Sequence, residues 1–195
     1  MFRTLATLTL ASLVTTPVLA CKMPGKDELF MNYIRLGERA YTEPVPLDLP
    51  EIAYVNAAGE RTSLKEHFGK PLIVTLWHPR CTGCQVDLPE LNAFLEQNPQ
   101  VDPDQFVQIS IERLFEGARP YDADDVKRYL DARSYGQIDV NLDLDNEMFR
   151  GNCLVATPSH LMINSEGKLT DVLFGAFPWP DAPFADDIRT FLATN

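Results

Sequence analysis

The sequence predicts an α/β protein built on a mixed sheet, and three observations carry that prediction. Strand-like apolar runs alternate with helical patterns from residue 71 onward. One of these runs, "PLIVTLW" (71–77), is apolar almost throughout, as a central strand covered on both faces must be. The last two runs are separated only by "NSEGK", the spacing of a hairpin. Crossovers through helices make parallel pairs and a hairpin makes an antiparallel one, so the sheet is mixed.

The chain opens with "MFRTLATLTLASLVTTPVLAC": one cation at Arg3, an apolar and Thr-rich stretch from Leu5 to Leu19, then small Ala20 before Cys21. This is the pattern of a secretory signal over residues 1–20, too short and too Thr-rich for a membrane span. Val18-Leu19-Ala20-Cys21 resembles a bacterial lipoprotein box, which would make Cys21 the lipid attachment site. Ordinary cleavage after Ala20, leaving a free Cys21, is the rival reading. Both readings export the chain, the first as a lipoprotein anchored on the periplasmic side. Removal of the signal leaves about 175 residues, enough for one domain with a real core.

With 17 Lys+Arg against 28 Asp+Glu, the formal charge is −11. Nucleic acid is excluded as a natural partner, because phosphate binding needs clustered cations. The acidity otherwise reads as a soluble, self-repelling surface.

Residues 21–46 read as a tether and helix: "KDELFMNYIRLGERA" (26–40) places Leu29, Tyr33, Leu36 and Ala40 on one helical face, and the prolines of "TEPVPLDLP" (42–50) break it. The domain proper is expected over 47–195. "IAYVNAAGERTSL" predicts a strand, a Gly turn and a second extended piece. Helices are expected at 64–68, 81–97, 122–134 and 181–193, and strands at 71–77, 106–111, 138–142, 159–163 and 169–175. The closing hairpin is expected to form the far edge of the sheet.

"LWHPRCTGCQVDLPEL" (76–91) sets Cys81 and Cys84 three apart, where the central strand ends and a helix begins. Unpaired N–H groups and the positive end of the helix dipole stabilise a thiolate at such a position. Cys81 is therefore expected to be the reactive sulfur, and Cys84, one turn inside, the shielded resolving thiol. A structural zinc site would need a second ligand pair, whereas Cys153 and Cys21 are isolated and His67, His78 and His160 are scattered, so no metal site is expected. A purely structural Cys81–Cys84 bond would close too short a loop to stabilise much. The motif reads as dithiol–disulfide exchange, with no cofactor. Asp87, one turn beyond Cys84, is a candidate for handling its proton, with an ordinary first-turn acid as the alternative.

With these residues in place, the sequence resembles the thioredoxin superfamily, in particular the exported, membrane-tethered thiol-disulfide oxidoreductases of the TlpA/ResA type, from about Leu47 to Phe191. "GKPLIVTLWHPRCTGCQVDLPELNAF" is similar to the family's strand, Trp, C-x-x-C, acid and helix, with Pro89 where thioredoxins kink the helix. "ATPSHLMINSEGKLTDVLFG" is similar to the family's cis-proline, strand, turn and strand, and "VNLDLDNEMFRGNCLV" to the subfamily's insertion and short helix. The resemblance implies a thioredoxin fold with an N-terminal extension and that insertion. It implies a cis Thr157-Pro158 bond facing the cysteines, with both residues binding substrate. Read without it, the same dipeptide is a trans proline at the start of an edge strand. It further implies reduction of disulfide-containing exported proteins and recharging by a membrane thiol-transfer donor.

Departures from the family are Arg80 in place of an aromatic residue, His78 in place of a small one, and Thr75 where thioredoxin proper has its buried acid. Trp77 reads as core beneath the site. Two other classes stay open. One is a copper chaperone of the Sco type using Cys81, Cys84 and His160 or Met162, which the two-residue spacer disfavours. The other is a redoxin-type peroxidase, which the lack of a single peroxidatic cysteine after Pro and Thr/Ser disfavours.

Overall fold

A computed structural model describes residues 47–48, 53–147 and 156–194. The expected signal at 1–20, the tether and helix at 21–46, Cys21 and Cys153 lie outside the described residues. Among the described residues, three α-helices and an eight-stranded sheet make up the fold. Strands β1 (Leu47–Asp48), β2 (Ala53–Val55), β3 (Arg61–Ser63) and β4 (Leu72–Trp77) precede helix α1 (Thr82–Gln97). Strand β5 (Phe106–Ile111), helix α2 (Ala123–Asp131) and strand β6 (Leu142–Asp143) follow, then β7 (Ser159–Ile163), β8 (Lys168–Phe174) and α3 (Ala182–Thr194).

The sheet order is β1-β8-β7-β4-β5-β6-β2-β3. β4 pairs parallel with β5 and antiparallel with β7, and β5 pairs parallel with β6, so the sheet is mixed as expected. β4 and β5 lie near the middle, and every residue of both is buried. That is why β4 is apolar almost throughout and why the polar Gln108 and Ser110 of β5 are buried too.

Several expectations need correction at this level. The closing hairpin of β7 and β8 forms, but it is not the edge: β1 adds to β8 through Leu47 opposite Leu169. Leu47 and Asp48, inside the segment read as a linker, therefore contribute a strand. The strand expected at 138–142 shrinks to Leu142–Asp143. Before it, the side-chain amide of Asn141 reaches the Gln108 carbonyl, and Gln108 Oε1 accepts from the Asp139 N–H, so side chains replace part of the ladder. Residues 64–67 form a 3-10 turn capped by Ser63 rather than a longer helix.

Period-2 alternation divides the core. Leu72, Val74 and Leu76 of β4 join Val107, Ile109, Leu161 and Ile163 on one face, under Tyr54 and Leu64. Ile73 and Trp77 face the other way, against Leu88, Leu91 and Phe94 of α1, with Val126 of α2 and Ile188 of α3 in the same cluster. Thr75 and His160 are polar members of this second face by alternation, and both are fully buried. Helix α2 starts on a capping box, in which Asp122 accepts from the Asp125 N–H and Asp125 reaches back to the Asp122 N–H. In the hairpin, Gly167 sits at φ 78°, and a Cβ there would lie 2.4 Å from the Phe68 ring, so the turn needs glycine on both counts.

Candidate active site

The end of β4 delivers the site. After Trp77 the chain turns at His78–Arg80, with the Cys81 N–H donating to the His78 carbonyl at 3.0 Å. Cys81 is the N-cap of α1, one position earlier than the first turn that the sequence predicts. Its sulfur accepts the Cys84 N–H at 3.1 Å, so one of the free amides of the helix start points at Cys81 Sγ. Cys81 and Cys84 form a disulfide with their Cα atoms 5.2 Å apart. Cys84 is fully buried. Cys81 is 6% exposed, much more enclosed than the sequence leads one to expect, yet it is the sulfur that solvent reaches.

What encloses Cys81 is the segment entering β7. The Thr157-Pro158 peptide is cis. The Thr157 carbonyl oxygen lies 3.1 Å from Cys81 Sγ, so the two segments that the resemblance brings together, 76 residues apart in sequence, are in contact. Gly83 makes that approach possible, since a Cβ there would stand 3.0 Å from Pro158 Cδ and 3.7 Å from the Thr157 carbonyl oxygen. Gly83 escaped the sequence reading, although a glycine between two cysteines at a helix start was the available signal.

Asp87 is fully buried, not a solvated first-turn acid. Its Oδ1 accepts from the Phe177 N–H at 3.1 Å and from Trp179 Nε1–H at 2.8 Å, and lies 3.5 Å from His160 Nε2. Its other oxygen, Oδ2, is buried without a hydrogen-bond partner. Cys84 and Asp87 stand three residues apart on α1, hence one above the other on the same buried face. The partners of Asp87 come from "AFPWP" (176–180), a segment the sequence reading left without a role.

Thr75 occupies the β4 position where thioredoxin proper carries an acid, and it pairs with His160 Nδ1 at 3.0 Å. His160 Nε2 lies 3.3 Å from the Gly175 carbonyl. Both ring nitrogens of His160 thus have partners within the protein.

His78 is buried rather than a loose loop residue. Burial, then the Arg80 charge, pulls its pKa down to about 4, so the ring is neutral at neutral pH. Its Nδ1 accepts the Arg80 N–H at 3.1 Å and its ring meets Tyr121 edge-on at 4.8 Å. Arg80 is exposed, and Trp77 is fully buried core as expected.

No family model matches the chain. Solved structures do. The chain is similar to the exposed lipoprotein thioredoxin Etrx1 of Streptococcus pneumoniae TIGR4, at 17% identity and TM-score 0.55 over 73% of this chain and 98% of that one. It is similar to StoA of Bacillus subtilis, at 16% identity and TM-score 0.54 over 75% and 98%. A putative thiol:disulfide interchange protein DsbE of Chlorobium tepidum matches at 16% identity and TM-score 0.55 over 77% and 99%.

This is a thioredoxin fold.

The thioredoxin fold that the resemblance implies is the fold observed. In this thioredoxin-fold chain, α2 and β6 stand between β5 and β7, and β6 widens the sheet beside β5. Among the described residues, no helix is long and apolar enough to cross a membrane.

Proposed function

We propose that the protein is a thiol-disulfide oxidoreductase that reduces disulfides of exported proteins. The observation that carries this reading is the Cys81–Cys84 disulfide at the N-terminus of α1, with its outer sulfur against the Thr157 carbonyl. In the dithiol form, the Cys81 thiolate, favoured by the helix terminus, attacks one sulfur of a substrate disulfide, and the other sulfur leaves as a thiolate and takes a proton. Cys84 then attacks Cys81 Sγ, the second substrate sulfur leaves, and the protein is left oxidised by two electrons. The backbone N–H and carbonyl of Thr157 are the groups that an extended substrate chain would pair with, proline itself offering no N–H.

The remaining parts of the reading follow from the N-terminal sequence and the family resemblance. Export rests on residues 1–20, tethering on lipidation of Cys21, and recharging on a membrane thiol-transfer donor. The pneumococcal neighbour, described as an exposed lipoprotein, is in keeping with such a tether.

The test is trapping. Cys84→Ser is expected to accumulate mixed disulfides with exported proteins, and Cys81→Ser is not. Trapping by Cys81→Ser instead would reverse the roles. The equilibrium with glutathione fixes the direction: a low reduction potential supports a reductase, and a high one an oxidase or isomerase.

A further inference from the structure

Beneath the cysteine pair lies a polar cluster that dithiol exchange as described above does not use. Its members come from four parts of the chain: Thr75 of β4, Asp87 of α1, His160 of β7, and the 175–179 segment after β8. All three side chains are fully buried. A lone buried carboxylate is costly to ionise, and the partners of Asp87 are the Phe177 N–H, Trp179 Nε1–H and His160, with no Lys or Arg among them. Its titratable neighbour is His160.

The hydrogen bonds of His160 suit two protonation states. Nε2 faces two acceptors, the Gly175 carbonyl at 3.3 Å and Asp87 Oδ1 at 3.5 Å, and so carries hydrogen. Nδ1 faces the Thr75 hydroxyl at 3.0 Å, a group that both donates and accepts. With neutral imidazole, Thr75 donates to Nδ1. With imidazolium, Nδ1–H donates to Thr75. A rotation of one hydroxyl accommodates the extra proton, and no polar atom of the ring is stranded in either state. The groups packed around the ring from other elements are Thr75, Asp87, and the Phe177 and Trp179 rings, which meet it edge-on at 5.6 and 4.9 Å. Asp87 is the one acidic side chain among them.

We propose that His160 is a positioning residue which, with Thr75, forms a proton-holding pair with Asp87 and makes proton transfer from Cys84 depend on the protonation of a buried imidazole. This rests on the thiol-disulfide reading and deepens it. In the resolving step the Cys84 proton passes to Asp87 Oδ2, the oxygen left without a partner. The sulfur electron pair forms the bond to Cys81 Sγ, and the substrate sulfur departs with the electrons of the broken bond. Two donors meet at Oδ1, the Phe177 N–H and Trp179 Nε1–H, with His160 Nε2 3.5 Å away. They hold the carboxylate while Oδ2 receives the proton, and the charge on His160 sets how readily it does so.

The experiment measures the Cys81–Cys84 dithiol–disulfide equilibrium with glutathione from pH 4.5 to 8.5 for the full chain, His160→Gln and Thr75→Val. Glutamine keeps an amide donor but cannot titrate, and valine removes the hydroxyl that must turn. Expected is a pH-selective effect: the ratio of variant to wild-type equilibrium constants changes by about tenfold between the two ends of the pH series, the coupling of groups that interact by about one pK unit. In an Asp87→Asn background the pH-selective part of the His160→Gln effect disappears. Curves that stay parallel at every pH, or a pH-selective effect that survives without Asp87, would overturn the proposal and leave His160 a packing residue. If His160→Gln fails to fold, Thr75→Val carries the same test. Because glutathione is the only partner, a chain that reduces no exported protein and still shows non-parallel curves refutes the proposed function while leaving this inference standing.

Discussion

Replacing Gly83 by alanine tests whether the close approach of the Thr157-Pro158 segment to the cysteines matters to chemistry or only to packing. The added methyl would stand 3.0 Å from Pro158 Cδ, 3.7 Å from the Thr157 carbonyl oxygen and 3.9 Å from Cys81 Sγ. Comfortable carbon–carbon separation is about 3.5–4.0 Å, so only the proline contact must open, by roughly 0.5 Å or more. The proline ring cannot rotate away as a flexible side chain would, and its backbone must move with it. Overpacking of this kind costs about 1–3 kcal/mol. Alanine in a helix recovers about 1 kcal/mol relative to glycine, so the net loss of stability is about 0–2 kcal/mol, and the protein stays folded. The displaced group is the Thr157 carbonyl, 3.1 Å from the attacking sulfur. Misplacement on the scale of 1 Å costs up to about a hundredfold in rate, so a drop of at least tenfold in kcat/KM for a disulfide substrate is expected, with unfolding still cooperative and its midpoint lowered by no more than that stability loss implies. Denaturant unfolding and steady-state reduction of a protein disulfide, run on the same preparation, check both parts. Full activity at wild-type stability would show that the segment yields freely and that its position does not matter.

Asp87→Asn is expected to slow reductase turnover by about tenfold or more and to change the shape of the pH–rate profile with the fold intact, because Oδ2 can no longer accept a proton. An unchanged profile would return Asp87 to a purely structural anchor for Phe177 and Trp179. For His78, folding lowers the pKa from 6.5 to about 4. The unfolded chain therefore binds a proton that the folded one refuses as pH falls from about 6.5 to about 4, and stability drops over that window by an amount on the order of 3 kcal/mol. His78→Phe is expected to remove that part of the acid-side loss in unfolding titrations, and an identical pH dependence would refute the assignment. For the mature chain, intact mass is expected to show acyl groups on Cys21. A peptide cross-linking Cys21 to Cys153 would refute the lipid anchor and the tethered location together.

The central strands were legible because burial on both faces leaves no choice of residue: "LIVTLW" and "FVQISI" became β4 and β5. The redox motif was legible because a cysteine pair at a strand-to-helix junction has few other uses, and the family's order of motifs placed Thr157-Pro158 against it. These are local or motif-borne signals, carried by neighbouring residues.

What the tertiary structure decided are contacts between residues far apart in the chain. Nothing local tells that β1 caps β8, that Asp87 is buried against Phe177 and Trp179 some ninety residues later, or that Thr75 and His160 pair across two strands. A lone aspartate near the start of a helix has the same sequence signature whether water or a histidine faces it. A histidine in an apolar strand looks like a single polar interruption until its neighbours are known. The sequence by itself determined which apolar residues must be inside and where the cysteine pair sits, since hydrophobic periodicity and helix termini act over a few residues. Only the folded sheet, by aligning β4 with β7 and laying α1 over both, decided which polar groups share the dry space beneath Cys84, because their hydrogen bonds exist only once water has been excluded from that face.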